Sequence, residues 1–157
     1  MRRVNYERIY GEICALIEES LSKNDEIESI LQNICELLRT EVEHYSWVGF
    51  YLADESERTL HLGPYSGEPT EHKRIPYGRG ICGQAVEIGD TFVVQDVSQE
   101  TNYLACSPKV RSEIVVPIYK NGRIVGEIDI DSHYLSAFSE DDRKFLERVA
   151  DRIAEII

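Results

Sequence analysis

The sequence predicts one α+β domain, built as about six antiparallel strands with helices on their faces. Three observations carry that reading. Helical apolar stripes occupy residues 1–43, strand-like runs punctuated by turn residues fill 44–138, and a capped amphipathic stretch closes the chain over 139–157. At 157 residues the chain is long enough to bury a real core.

The first helix is expected from Tyr6 to about Leu21, because Ile9, Ile13, Ile17 and Leu21 recur on one face. Ser22-Lys23-Asn24-Asp25 breaks it, with Asn24 or Asp25 as the expected N-cap of the next helix. That second helix carries Ile27, Ile30, Leu31, Ile34, Leu37 and Leu38 and ends near Val42. Cys14 and Cys35 fall on these apolar faces and read as inert core thiols. Ser46 to Leu52 and Thr59 to Pro64 are strand-like on either side of a polar turn, and Arg74-Ile75-Pro76 is a short extended piece. Gly78-Arg79-Gly80 leads into a short helix over Ile81–Ile88 that Gly89 stops, and Thr91–Val94 returns as a strand. Residues 96–111 form a long polar loop, of the kind that is functional or mobile in compact domains. Glu113–Tyr119 and Arg123–Ile130 pair across Asn121-Gly122, the strongest hairpin signal in the chain. Ser139 with Asp142 resembles a capping box, and Phe145, Leu146, Val149, Ile153 and Ile156 line the inner face of the final helix.

Composition narrows the function. Lys plus Arg is 17 against 29 Asp plus Glu, a net charge of −12 that repels phosphate backbones and anionic membranes, so neither nucleic acid nor membrane is an expected partner. No apolar run approaches bilayer length, and the basic N-terminus has no apolar stretch behind it. A cytoplasmic location is expected. The four cysteines, at 14, 35, 82 and 106, contain no Cys-x-x-Cys and suit neither a disulfide framework nor a structural zinc site.

Several residues carry candidate chemistry. Cys106 stands in the polar loop, where a thiol is more reachable than one in a helical stripe. Cys82 opens the short helix, where the dipole favours a thiolate and where a small residue also simply fits a glycine turn. Gly78-x-Gly80-x-x-Gly83 has the spacing of a dinucleotide fingerprint but lacks its βαβ setting. In Gly126-Glu127-Ile128-Asp129-Ile130-Asp131-Ser132, Asp129 and Asp131 point one way and the isoleucines the other, so one face breaks the hydrophobic rule. With Glu113 on the paired strand, these acids would raise one another's pKa and leave one protonated as an acid. Magnesium or calcium binding and a merely exposed polar face are the competing readings. Trp47 and Tyr51 share a face and read either as core or as an aromatic wall for a small cation.

Taken together, the segments 47–52, 62–67, 74–83, 112–118 and 126–132 resemble the free methionine-(R)-sulfoxide reductases, a family of stand-alone GAF domains. The resemblance implies that Cys106 is the catalytic nucleophile and Cys82 a second redox cysteine. It also implies that Glu113, Asp129 and Asp131 with Trp47 and Tyr51 form the substrate site, with no metal and no bound cofactor. The implied reaction reduces free L-methionine-(R)-sulfoxide through a Cys106 sulfenic acid and a disulfide, which thioredoxin reduces from outside. A homodimer is a further possibility of the family.

Two departures stand out. His72 occupies the position of a third family cysteine that commonly resolves the sulfenic acid, so Cys82 or an outside thiol must do so here. Around Cys106 the family's Gly-His-Ile-Ala-Cys-Asp becomes Asn102-Tyr103-Leu104-Ala105-Cys106-Ser107. The alternative reading is therefore a non-catalytic GAF module that binds a small amino compound.

Overall fold

The computed structural model describes residues 3–104 and 107–157. In chain order it runs α1 (Tyr6–Ser22), α2 (Ile27–Glu41), β1 (Trp47–Asp54), β2 (Thr59–Ser66), β3 (Arg74–Pro76), α3 (Gly80–Ile88) and β4 (Phe92–Val94). A 3₁₀ turn at Val97–Gln99 follows, then β5 (Ser112–Lys120), β6 (Arg123–Ser132) and α4 (Glu140–Ala154). The six strands form one sheet in the order β3-β2-β1-β6-β5-β4, every pairing antiparallel, so β1 and β6 are central.

The hairpin that sets the site follows from two residues. Asn121 and Gly122 both take positive φ, 54° and 76°, the geometry a two-residue hairpin needs. Lys120 then pairs with Arg123, and the register runs back as far as Ser112 opposite Ser132. Because the side-chain period is two, this register decides which residues of β5 and β6 share a face.

One face of the sheet is apolar. Val48, Phe50, Ile114, Val116, Ile118, Ile128 and Ile130 pack under α1, α2 and α4 in a continuous core. The α4 helix starts where its capping box places it: Ser139 and Asp142 satisfy each other's backbone N–H groups. Asp142 also accepts from Tyr6 and Tyr45 hydroxyls at 2.7 Å each and lies 2.9 Å from His44 Nε2, tying α1 and the start of β1 to α4. Burial alone would raise its pKa, yet the hydrogen bonds from His44, Ser139, Tyr45 and Tyr6 win and bring it down to about 2.

Three local expectations are revised. Glu26, in extended backbone and without a side-chain cap bond, precedes α2, because Asn24 is used at φ 58° to turn the chain out of α1. Cys35 is a core thiol with its pKa raised by burial, whereas Cys14 is only half-buried at the rim of α1. The 96–111 loop holds the 3₁₀ turn, opened by the Asp96 carboxylate accepting from Ser98 N–H. Among the described residues no helix is long and apolar enough to cross a membrane.

Candidate functional site

The second face of the sheet carries the acids. Glu127, Asp129 and Asp131 alternate with the core residues Ile128 and Ile130, so all three point away from the helical core. The register puts Tyr51 beside Glu127, Gly49 beside Asp129 and Trp47 beside Asp131 on β1. On β5 the partners are Pro117, Val115 and Glu113 respectively. The residues singled out on β1, β5 and β6 therefore converge on one surface.

That surface is covered rather than wet. A second apolar cluster of Leu60, Ile75, Ile81, Ala85, Val97 and Val110 closes over it, with α3 as its centre. Relative exposure falls to 0% for Glu127, 1% for Asp131, 2% for Asp129, 4% for Cys82 and 5% for Glu113. Both faces of β6 are thus buried, and the exposed-hairpin reading of the acids is overturned. Sequence reasoning passed over Glu127, although the same two-residue period that paired Asp129 with Asp131 reaches it one step earlier on the strand.

Burial at this density changes protonation. Desolvation pushes the Asp131 carboxyl well up, with the Asp129 charge adding to it. Desolvation also raises Asp129, held back by hydrogen bonding with Glu113 and Cys82. Glu127 is raised well above an ordinary glutamate, first by burial and then by Asp129. The same causes act on the thiol: burial, then Asp129, Glu127 and Glu113, keep Cys82 protonated. The helix start that would favour a thiolate is present, since Cys82 is in the first turn of α3, but the desolvation and the acids outweigh it. Both oxygens of Glu127 and of Asp131 and one of Asp129 have no hydrogen-bond partner among the described residues. Cys82 Sγ lies 4.0 Å from Glu113 Oε2. Cys82, Glu113 and Asp129 each offer a ligand atom, all within 4.8 Å of one another.

The aromatic wall is held at both ends. Trp47 Nε1 donates to the Glu68 carbonyl at 2.9 Å, and the indole stacks on Tyr65 with centroids 5.5 Å apart. A Cβ on Gly49 would fall 2.4 Å from the Trp47 ring, so a glycine is required there for the indole to lie along the sheet. Tyr51 donates its hydroxyl to the His72 carbonyl at 2.8 Å.

The glycine string serves packing. Gly80 sits at φ 63° under Leu104, and a Cβ on Gly83 would stand 2.6 Å from the Pro76 carbonyl, so the spacing lets α3 lie close on β3 in an antiparallel sheet. It does not mark a dinucleotide site. Asn102 ties the long loop to this turn, accepting from Gly80 N–H at 3.0 Å and donating to the Gly78 carbonyl at 2.7 Å. Leu104 also lines a cavity of about 10 Å³, shared with Tyr51, His72, Cys82, Glu113 and Asp129. On the other side of the acid row, Ser107 and Trp47 line a second cavity of about 30 Å³ with Asp131 and His133. Cys106 lies outside the described residues; in sequence it falls between Leu104 and Ser107. Wider surface grooves of about 500 and 670 Å³ include none of the buried acids.

An antiparallel sheet with helices packed on one face, and a covered acid-and-aromatic pocket on the other, defines a small-molecule pocket domain. The family model for the GAF domain matches residues 24–157. The chain belongs to the GAF domain family, on its free methionine-R-sulfoxide reductase branch. It is 34% identical over 127 residues to the free methionine-R-sulfoxide reductase of Escherichia coli, covering 81% of this chain and 75% of that protein. Its fold is similar to the Staphylococcus aureus fRMsr solved in complex with substrate: TM-score 0.87 and 36% identity, over 99% of this chain and 97% of that one. It is similar too to the type II free methionine-R-sulfoxide reductase of Thermoplasma acidophilum: TM-score 0.79 and 40% identity, over 83% and 91% of the two chains.

Proposed function

We propose that this chain reduces free L-methionine-(R)-sulfoxide to methionine, with Cys106 as nucleophile. The observation that supports it most is the buried acid row between Trp47 and Tyr51, in a chain similar along its length to proteins named for that reaction. The ammonium of a free amino acid would draw on Glu113, Asp129 and Asp131, and a methionine inside a polypeptide has no such group to offer. Trp47 and Tyr51 would flank the bound cation and the thioether chain.

Chemistry follows from the protonation states. A neutral buried carboxyl donates a proton to the sulfoxide oxygen and makes sulfur electrophilic, and the Cys106 thiolate attacks it. The oxygen passes to Cys106, which becomes a sulfenic acid as the substrate sulfur is reduced to the thioether of methionine. Cys82 gives up its thiol proton and displaces the hydroxyl as water, leaving a Cys82–Cys106 disulfide. Two electrons from the dithiol of cytoplasmic thioredoxin return both cysteines to thiols. The cavity beside Cys82 has room for about one water molecule, so substrate entry requires the cover over the acids to move. The same movement would free the buried Cys82.

One observation favours a second reading, a binding module for a small amino compound. Cys82 is buried and protonated, and His72 stands where a further cysteine would resolve the sulfenic acid. Incubation with free methionine-(R)-sulfoxide and dithiothreitol separates the two. Methionine released from the (R) but not the (S) epimer, and lost in Cys106→Ser, is the expected result. No methionine from either epimer overturns the reductase.

A further inference from the structure

We propose that Cys82, Glu113 and Asp129 form a binding site for one divalent ion of the zinc class in the reduced protein. Three ligand atoms, the Cys82 sulfur and one oxygen each from Glu113 and Asp129, lie within 4.8 Å of one another. Around a four-coordinate ion with bonds of ~2.0–2.3 Å, ligand atoms stand ~3.3–3.6 Å apart. The Cys82 Sγ to Glu113 Oε2 distance of 4.0 Å is thus within about half an ångström of the coordinated value. Side-chain torsions of two carboxylates supply that contraction without moving the sheet.

An independent feature points to the same ion. Asp129, one of the three ligands, is 2% exposed, and its Oδ1 has no hydrogen-bond partner among the described residues. A buried carboxyl oxygen in that condition is costly to the fold, and a bound cation would satisfy it.

The chemistry selects the class of ion. A thiolate among carboxylates suits zinc or cobalt, whereas magnesium and calcium take oxygen ligands only and keep several waters. The cavity of about 10 Å³ that Cys82, Glu113 and Asp129 line holds one small sphere and no hydration shell. Binding is not a redox step: the ion replaces the thiol and carboxyl protons, which leave to solvent. Ion and amino-acid ammonium would draw on the same carboxylates, although the metal site stands on the geometry whether or not the chain reduces a sulfoxide.

Cobalt is the probe. The reduced, metal-free full chain is titrated with Co²⁺ and followed by absorption, without substrate. A thiolate-to-cobalt charge-transfer band that saturates at one equivalent, is displaced by Zn²⁺ and is untouched by millimolar Mg²⁺ is expected. Cys82→Ser should remove the band, Cys106→Ser should keep it, and Asp129→Asn should weaken cobalt binding about tenfold or more. No band at millimolar Co²⁺, a band that survives Cys82→Ser, or displacement by Mg²⁺ overturns the proposal. If Cys82→Ser does not fold by circular dichroism, Asp129→Asn carries the test, and unchanged cobalt affinity in that variant refutes the site.

Discussion

Replacing Glu127 with glutamine should stabilise the metal-free protein, and by an amount that depends on pH. The side chain is fully buried, both oxygens lack hydrogen-bond partners among the described residues, and its pKa is raised well above the usual value of 4.5 by burial and by Asp129. An acid with a raised folded pKa is protonated in the native state at pH values where the unfolded chain has ionised. Folding then takes up a proton, and wild-type stability falls as pH rises through that window. The penalty grows by about 1.4 kcal/mol for each pH unit above the unfolded value until the folded pKa is reached. Glutamine is of equal size and cannot ionise, so it removes this slope. Between pH 5 and pH 6.5 the advantage of the variant over the wild type should therefore widen, by at most about 1.4 kcal/mol per pH unit. Near pH 4.5 the two should converge, apart from the small difference between a neutral acid and an amide. Urea unfolding at half-unit pH steps, with EDTA present throughout, reads the difference directly. An advantage for glutamine that is the same at pH 4.5 and pH 6.5, or none at all, would show that Glu127 is ionised or paired in the native protein.

The opposite sign is expected at Asp142. Its folded pKa of about 2 lies below the ordinary 3.8, so its hydrogen bonds stabilise the fold at neutral pH by about 2 kcal/mol. Asp142→Asn should lose that amount at pH 7, and the gap should close as pH falls from 4 towards 2; a gap that persists at low pH refutes the account. Trp47 is the sole tryptophan, and Gly49→Ala would place a methyl 2.4 Å from its ring. The indole must swing out, with emission shifting to the red and about 1–3 kcal/mol lost to strain; unchanged fluorescence would contradict the packing. Under the reductase reading, Cys82→Ser should release one equivalent of methionine and then stall with thioredoxin while still turning over with dithiothreitol. Normal thioredoxin-driven turnover in that variant would remove Cys82 as the resolving thiol.

What the sequence disclosed and what it concealed divide along a physical line. The Asn121-Gly122 hairpin and the Ser139–Asp142 capping box were legible because a few adjacent residues determine each of them. The α2 start was misjudged because Asn24 has two possible uses, as a cap or as the left-handed turn residue, and only the path of α1 chooses between them. The acids of β6 shared one face by periodicity alone. Their burial was not legible, because the cover is α3 and the loop tied down by Asn102, elements distant in sequence from β6. Glu127 shares that face by the same periodicity. In the strand Glu127-Ile128-Asp129-Ile130-Asp131 an acid at every second position looks like a wetted edge until something closes over it. Cys82 is the converse case: a helix start favours a thiolate, but burial and the three acids beneath it prevent one.

The two faces of the sheet are physically dependent on each other. On one side, Ile114, Ile128 and Ile130 with the helices above them form a continuous apolar core. On the other, four carboxyl groups and a thiol are held out of water at a cost that increases with pH. Alternation along β6 makes the arrangement possible, for each isoleucine that anchors the strand sets the direction of the acid beside it. Moving the register by one residue would put the acids into the helical core and the isoleucines into the pocket. The hairpin turn at Asn121-Gly122, about 20 Å from Asp129 along the seven extended residues Arg123–Asp129, is therefore what aims the pocket. A ligand that supplies positive charge to these acids, whether ammonium or metal, relieves the stored repulsion as it binds. Occupancy should then raise Tm most at the pH where the empty pocket is least stable, and a ligand-induced gain that shrinks as pH rises from 5 to 7 would argue that the acids are not where the ligand sits.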